Sequence, residues 1–295
     1  MHQILQVLIS GILLGGIYAL ISMGLNLILG VVRIVNFAHG EFLMLAMYMS
    51  FFLYSVLGLD PYVSAILVAL ILFIFGLLVQ RIVIQPILNS SATVKIFVTL
   101  GLSITLQNFA LMLWGADFRS VHTPYQTAVI NVGSVAISIP RLIVFVVAII
   151  VAVGMYLFLN KTLIGKAIRA VAMEKRAAAL MGINVNRIYL LAFGLGTAMV
   201  GLAGALILPI YYVFPTIGTL FVLISFVVVV LGGMGSMLGA FLGGLIIGLV
   251  EAAAGVLIAP GLKEAVYFII FILVLLFRPS GLFSLGKGSE EVGLK

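Results

Sequence analysis

Between Arg187 and Lys263 the chain runs for 75 residues with a single charged side chain, Glu251. One membrane crossing takes about 20 residues, so this stretch alone holds about three. The rest of the chain has the same character. It is 64% hydrophobic and 8% charged, against about 25% charged in soluble domains, and no soluble core could bury that much apolar surface. The fold class that follows is all-α and polytopic: one transmembrane domain, 1–285, with a short tail, 286–295, expected to be disordered.

Apolar runs between charges and turn signals give nine candidate segments: 4–30, 40–58, 62–84, 95–114, 141–160, 188–208, 217–232, 237–258 and 263–278. That is eight or nine membrane segments, because the seventh is short enough to be re-entrant. The first lacks a basic flank and exceeds the apolar core of a signal peptide, so it reads as a retained span. Lys and Arg bias sets the orientation. With the N-terminus outside, the inner side holds Arg33, Arg81, Lys95, six residues of one loop, Arg278, Lys287 and Lys295. The outer side holds only Arg119, Arg141 and Lys263. The long outer connection, 116–140, reads as a short hairpin or a surface helix.

The basic loop, 161–187, carries six of the fifteen basic residues and one acid, Glu174. Thr162 suits an N-cap, and Ala177, Ala178 and Ala179 favour helix. Ile164, Ile168 and Val171 form an apolar stripe, with Lys166, Arg169 and Arg176 on another face. Gly182 suits a left-handed stop, followed by a turn at Asn184 and Asn186 and a span from about Ile188. One helix ending at Gly182 is therefore expected, lying on anionic lipid or docking a protein.

The segment AAALMG (177–182) resembles the core of the loop that bacterial ABC importer permeases present to their ATPases. Here Glu174 is separated from the alanines by Lys175 and Arg176. With GLNLILGVVRIVNFAHGEF (24–42), VLGGMGSMLGAFLGGLIIGLVE (230–251) and LLFRPSGLF (275–283), it closely resembles the permeases of branched-chain amino acid ABC importers. The resemblance runs over nearly the whole chain. It implies a permease subunit in a bacterial inner membrane, with the basic loop and C-terminus cytoplasmic. It also implies partners: cytoplasmic ATPase subunits that bind the ATP, a second permease in a heterodimer, and an extracytoplasmic substrate-binding protein. The coupling loop would use Lys166, Arg169, Glu174, Ala177, Ala178 and Gly182. Relatives carry urea and other amides as well as amino acids, so the substrate stays open.

Polar residues in an apolar field are costly and face a cavity or a partner. Asn26, Asn36, His39, Glu41 and Glu251 are the candidates for the translocation path or a gate. Against that, Asn36, His39 and Glu41 could satisfy one another and the free backbone ends of a broken helix. Glu251 could pair with Lys263 near the outer interface, and Gln107 and Asn108 carry the same ambiguity. Gly235, Gly239 and Gly243 form a row suited to close helix packing, within the subunit or between subunits. No metal site is expected from a lone His–carboxylate pair. No P-loop, HExxH or GxSxG pattern occurs, so neither an enzyme nor a P-loop ATPase is expected. The basic residues sit at membrane borders, which argues against nucleic acid. An ATP-independent secondary transporter is the competing class, and it would need a coupling-ion site built from Asn26, His39, Glu41 or Glu251.

Overall fold

The computed structural model describes residues 2–133, 135–278 and 280–283; the tail expected at 286–295 lies outside them. Eleven helices and one hairpin carry the fold among these residues. They are α1 (His2–Val32), α2 (His39–Leu57), α3 (Pro61–Val79), α4 (Ala92–Trp114), β1 (Val129–Val132), β2 (Val135–Ser138), α5 (Ile139–Lys161), α6 (Leu163–Met173), α7 (Lys175–Leu180), α8 (Val185–Ile207), α9 (Ile217–Gly232), α10 (Met237–Leu257) and α11 (Lys263–Phe277). Eight helices are long and apolar enough to cross a membrane; α9, at 16 residues, is shorter. The chain is a polytopic all-α membrane protein.

Local chemistry places most helix starts. Asp60 accepts from the Tyr62 amide at 2.8 Å, with Pro61 at the first helical position of α3. Ser91, Thr162, Asn184 and Ser236 cap α4, α6, α8 and α10 in the same way. Beyond Val79, α3 continues through a π-helical turn, Gln80–Ile84, ahead of Pro86, whose missing N–H disrupts the α-helical ladder. Asp60 also accepts from the Tyr125 hydroxyl at 2.6 Å. Burial and that bond push the Tyr125 phenol above its usual range.

Helix α1 forms the hub, packed against α10, α8, α5 and α9, while α3 lies along α8. Packing in lipid depends on close backbone approach rather than on hydrophobic expulsion from water. A methyl group added to Gly248 of α10 would collide with the backbone of Gly15 in α1, and one on Gly239 with the Gly232 carbonyl of α9. Gly243 faces Val228 and Gly232 of α9 as well. These glycines therefore pack within the subunit. Gly235 departs from the expected row, because it precedes α10 and sits in a turn at φ +84°. The edge helices α4, α5 and α11 turn apolar side chains outward, among them Met112, Ile150 and Leu276.

The connection between α4 and α5 contains a hairpin. β1 and β2 pair antiparallel with Val132 opposite Val135. The Gln6 side chain exchanges two hydrogen bonds with the Ala136 backbone, tying the start of α1 to β2. The short α9 is not re-entrant. The stretch before it pairs Val213 with Arg119 at the hairpin end of the bundle. From there the chain enters the bundle, and α9 carries it on to the opposite, basic end, where Gly235 meets Gly30 of α1.

Candidate functional site

The polar candidates fall into three sets within the apolar interior. The first is a clamp at the basic end. Asn26 accepts from the Gly235 amide at 2.7 Å and donates to the Ser236 carbonyl at 2.6 Å. Both polar atoms are used, so Asn26 holds the turn between α9 and α10.

The second set lies towards the hairpin end. Glu251 is buried and accepts from the Tyr18 hydroxyl at 2.5 Å, and Lys263 sits 3.2 Å from its other oxygen. This is the pairing with Lys263 weighed above, with Tyr18 added. It ties α1, α10 and α11 together and satisfies both carboxylate oxygens.

The third set sits at a break between α1 and α2. Arg33 ends α1 in the left-handed region at φ +56°, a costly conformation for a residue with a Cβ. The chain then turns back into the bundle, with Ile34, Asn36 and Ala38 buried. The His39 ring lies 3.1 Å from the Ile21 carbonyl, eleven residues before the end of α1. At 1.5 Å per residue, α2 begins about 16 Å up from the basic end of α1, near the middle of a hydrocarbon core about 30 Å thick. Ser103, which donates to Glu41 at 3.1 Å, lies eleven residues into α4 and gives the same depth.

The side chains of Asn36, His39 and Glu41 do not pair with one another; the only bond among the three residues that is described runs from the His39 amide to the Asn36 carbonyl at 3.3 Å. Asn36 accepts from the Ala38 amide at 3.2 Å, His39 meets α1, and Glu41 meets α4. Each also keeps a buried atom without a hydrogen-bond partner among the described residues: Asn36 Nδ2, His39 Nδ1 and Glu41 Oε2.

A second helix starts at the same place. The first turns of α2 and α9 abut at Gly40 and Gly218, where a methyl on either would strike the other's backbone. Neither helix has a side-chain cap, in contrast to α3, α4, α6, α7, α8 and α10. Helix α4 spans the junction with Thr99, Ser103 and Gln107, spaced four apart on one face. Thr99 donates to the Val35 carbonyl at 3.0 Å, Ser103 to Glu41, and Gln107 to the Thr219 hydroxyl at 3.4 Å. That spacing is a sequence signal, but only the fold shows what the three residues face.

The basic loop differs from expectation in three ways. It forms two helices, because Glu174 leaves helical geometry and caps α7 by accepting from the Arg176 amide at 3.0 Å. The next span starts at Val185, capped by Asn184. The buried stripe is Gly165, Ile168 and Val171, while Ile164 is exposed. Thr162 does cap α6, and Gly182 ends the second helix at φ +82°. Ala178 packs inward and is not on the surface. Arg169 is drawn to Asn160 at 2.6 Å, and Arg33 donates to the Ala172 carbonyl. Lys166 and Ala177 are exposed. The residues that dominate the tip, Met173, Leu180 and Met181, are each more than 80% exposed. They escaped the sequence reading because an apolar residue in an apolar chain carries no signal.

A family described as branched-chain amino acid transport system / permease component matches residues 7–275. The chain is 33% identical to the high-affinity branched-chain amino acid transport system permease protein BraD of Pseudomonas aeruginosa, over 98% of each chain. It is also 33% identical to the corresponding protein LivH of Escherichia coli K12, over 97% of each. A more distant relative is the ribose import permease protein RbsC of Haemophilus influenzae, 29% identical over 69% of this chain. No solved structure matches.

Proposed function

The chain belongs to the branched-chain amino acid transport permease family, and on that premise we propose that it forms the translocation path of an ATP-binding-cassette importer for branched-chain or related amino acids. It is a transport subunit, not an enzyme, and the ATP is bound by separate ATPase subunits in the cytoplasm. The basic end faces them, in keeping with the Lys and Arg bias of a bacterial inner-membrane protein. A second permease of the same family completes the path, and an extracytoplasmic binding protein delivers the solute to the hairpin end.

The observation that carries this reading is the tip of α6 and α7. Met173, Leu180 and Met181 stand in solvent beside Lys175 and Arg176. An exposed apolar cluster rimmed by charge marks a protein-binding surface. The tip is braced against the membrane body through Gly165, where any side chain would strike the end of α5, and through the Arg33 contact to Ala172. A push on the tip therefore reaches both α5 and the break before α2.

The test is co-purification from native membranes. Replacing Leu180 and Met181 together by Glu should abolish recovery of an ATPase subunit while leaving the yield of extracted chain unchanged. Undiminished recovery of the ATPase would sink the docking assignment. ATP-independent uptake by the purified chain alone would return the secondary-transporter reading.

A further inference from the structure

Two helices begin inside the membrane at one point. Helix N-termini carry unsatisfied N–H groups and about half a positive charge, and they attract anions. Here the two ends abut at Gly40 and Gly218, and neither is capped by a side chain. The His39, Ile217 and Thr219 amides donate to the Asn36, Phe214 and Thr216 carbonyls, which leaves those of Gly40, Glu41 and Gly218 as the donors. A carboxylate shares the spot. Glu41, in the first turn of α2, is 1% exposed, and its Oε2 has no partner among the described residues. A buried carboxylate left half-paired in lipid is costly unless a partner arrives. One junction thus offers donors for an anion and an acceptor for a cation.

We propose that this junction binds a zwitterionic amino acid in transit. Its carboxylate lies against the amides of Gly40, Glu41 and Gly218, and its ammonium on the Glu41 carboxylate. The proposal rests on the importer reading and adds the residues that recognise the solute. Ser103 holds the other Glu41 oxygen in place, and Gln107 reaches Thr219 in the first turn of α9. A cleft of about 220 Å³ opens beside Gln107 on the hairpin side, between α4 and the stretch before α9. Leu111, Phe118 and Phe214 line it with Asn108 and Thr216, walls that suit an aliphatic side chain. The cleft gives the junction an approach from the side where solute is delivered.

The experiment uses the complete transporter in proteoliposomes, with L-leucine as the probe. Glu41→Gln keeps the size of the side chain and an acceptor for Ser103 but removes the charge. Uptake should fall by about tenfold or more, as expected for the loss of a charge-assisted bond. Glu41→Asp should retain a clearly larger share. Wild-type uptake by Glu41→Gln, or equal loss in both variants, would overturn the assignment. If Glu41→Gln does not assemble, the absence of native cysteines offers a second measurement. In Gln107→Cys, L-leucine supplied with the binding protein should slow modification by a charged methanethiosulfonate reagent, whereas Ile104→Cys on the outward face should show no slowing. Equal rates with and without L-leucine at Gln107→Cys would overturn the site. Failure of the importer reading is distinct: the wild-type complex would then take up nothing when ATP is added.

Discussion

The Glu251 cluster and the Glu41 junction place the same chemical group in the same apolar surroundings, with opposite outcomes. Glu251 has Tyr18 on one oxygen and Lys263 on the other, and it joins three helices. Glu41 has Ser103 on one oxygen and nothing described on the other, and it stands at two uncapped helix starts. A satisfied polar set in lipid acts as a rivet. One left incomplete at a helix break has capacity to spare, and that spare capacity separates a candidate site from structure. Asn26 belongs with Glu251, since both of its polar atoms are used.

Four substitutions press on this contrast. Asn26→Leu should do the most damage, about 2–4 kcal/mol, because it strands the Gly235 amide and the Ser236 carbonyl inside the protein. Thermal unfolding in mild detergent would report it, and an unchanged transition would remove Asn26 from the structural class. Glu251→Leu should cost about 1–3 kcal/mol by orphaning the Tyr18 hydroxyl, with the half-exposed Lys263 contributing little. Thr99→Val should cost less, about 1 kcal/mol, and raise hydrogen exchange along α4, which buries only Thr99 and Ala110. Protection in α4 equal to that of the parent chain would show that apolar contacts alone hold the helix. Glu41→Gln should change stability least, leaving the unfolding temperature equal or slightly higher, since it relieves a buried half-paired charge. A large drop would place Glu41 with the rivets and weaken the case for a site there.

The basic loop shows how far local reasoning reaches. Thr162 and Asn184 act as caps because a side-chain oxygen and an amide two or three residues on find each other without help from the rest of the fold. Gly182 stops its helix for an equally local reason. Glu174 lies within a helix-favouring run, yet it breaks the helix, because α6 is bound down by Ile168 and Val171 while α7 turns Ala178 inward. Ala178 looked like a docking residue because its position along the chain says nothing about which face is covered.

The sequence by itself determined the spans, their order, the charge asymmetry between the two ends and most of the caps. Each depends on transfer of a contiguous stretch into lipid or on bonds between near neighbours, so a short window of residues holds the whole cause. Only the tertiary structure decided the partners of the buried polar groups: Asn26 with a turn 209 residues away, Tyr18 with Glu251 across 233. It alone also decided that α2 and α9 begin together at mid-depth. In lipid an apolar helix face gains nothing by turning inward, since the tails are as apolar as leucine. Periodicity therefore cannot say which side of a span is buried, and packing between distant glycines settles it instead.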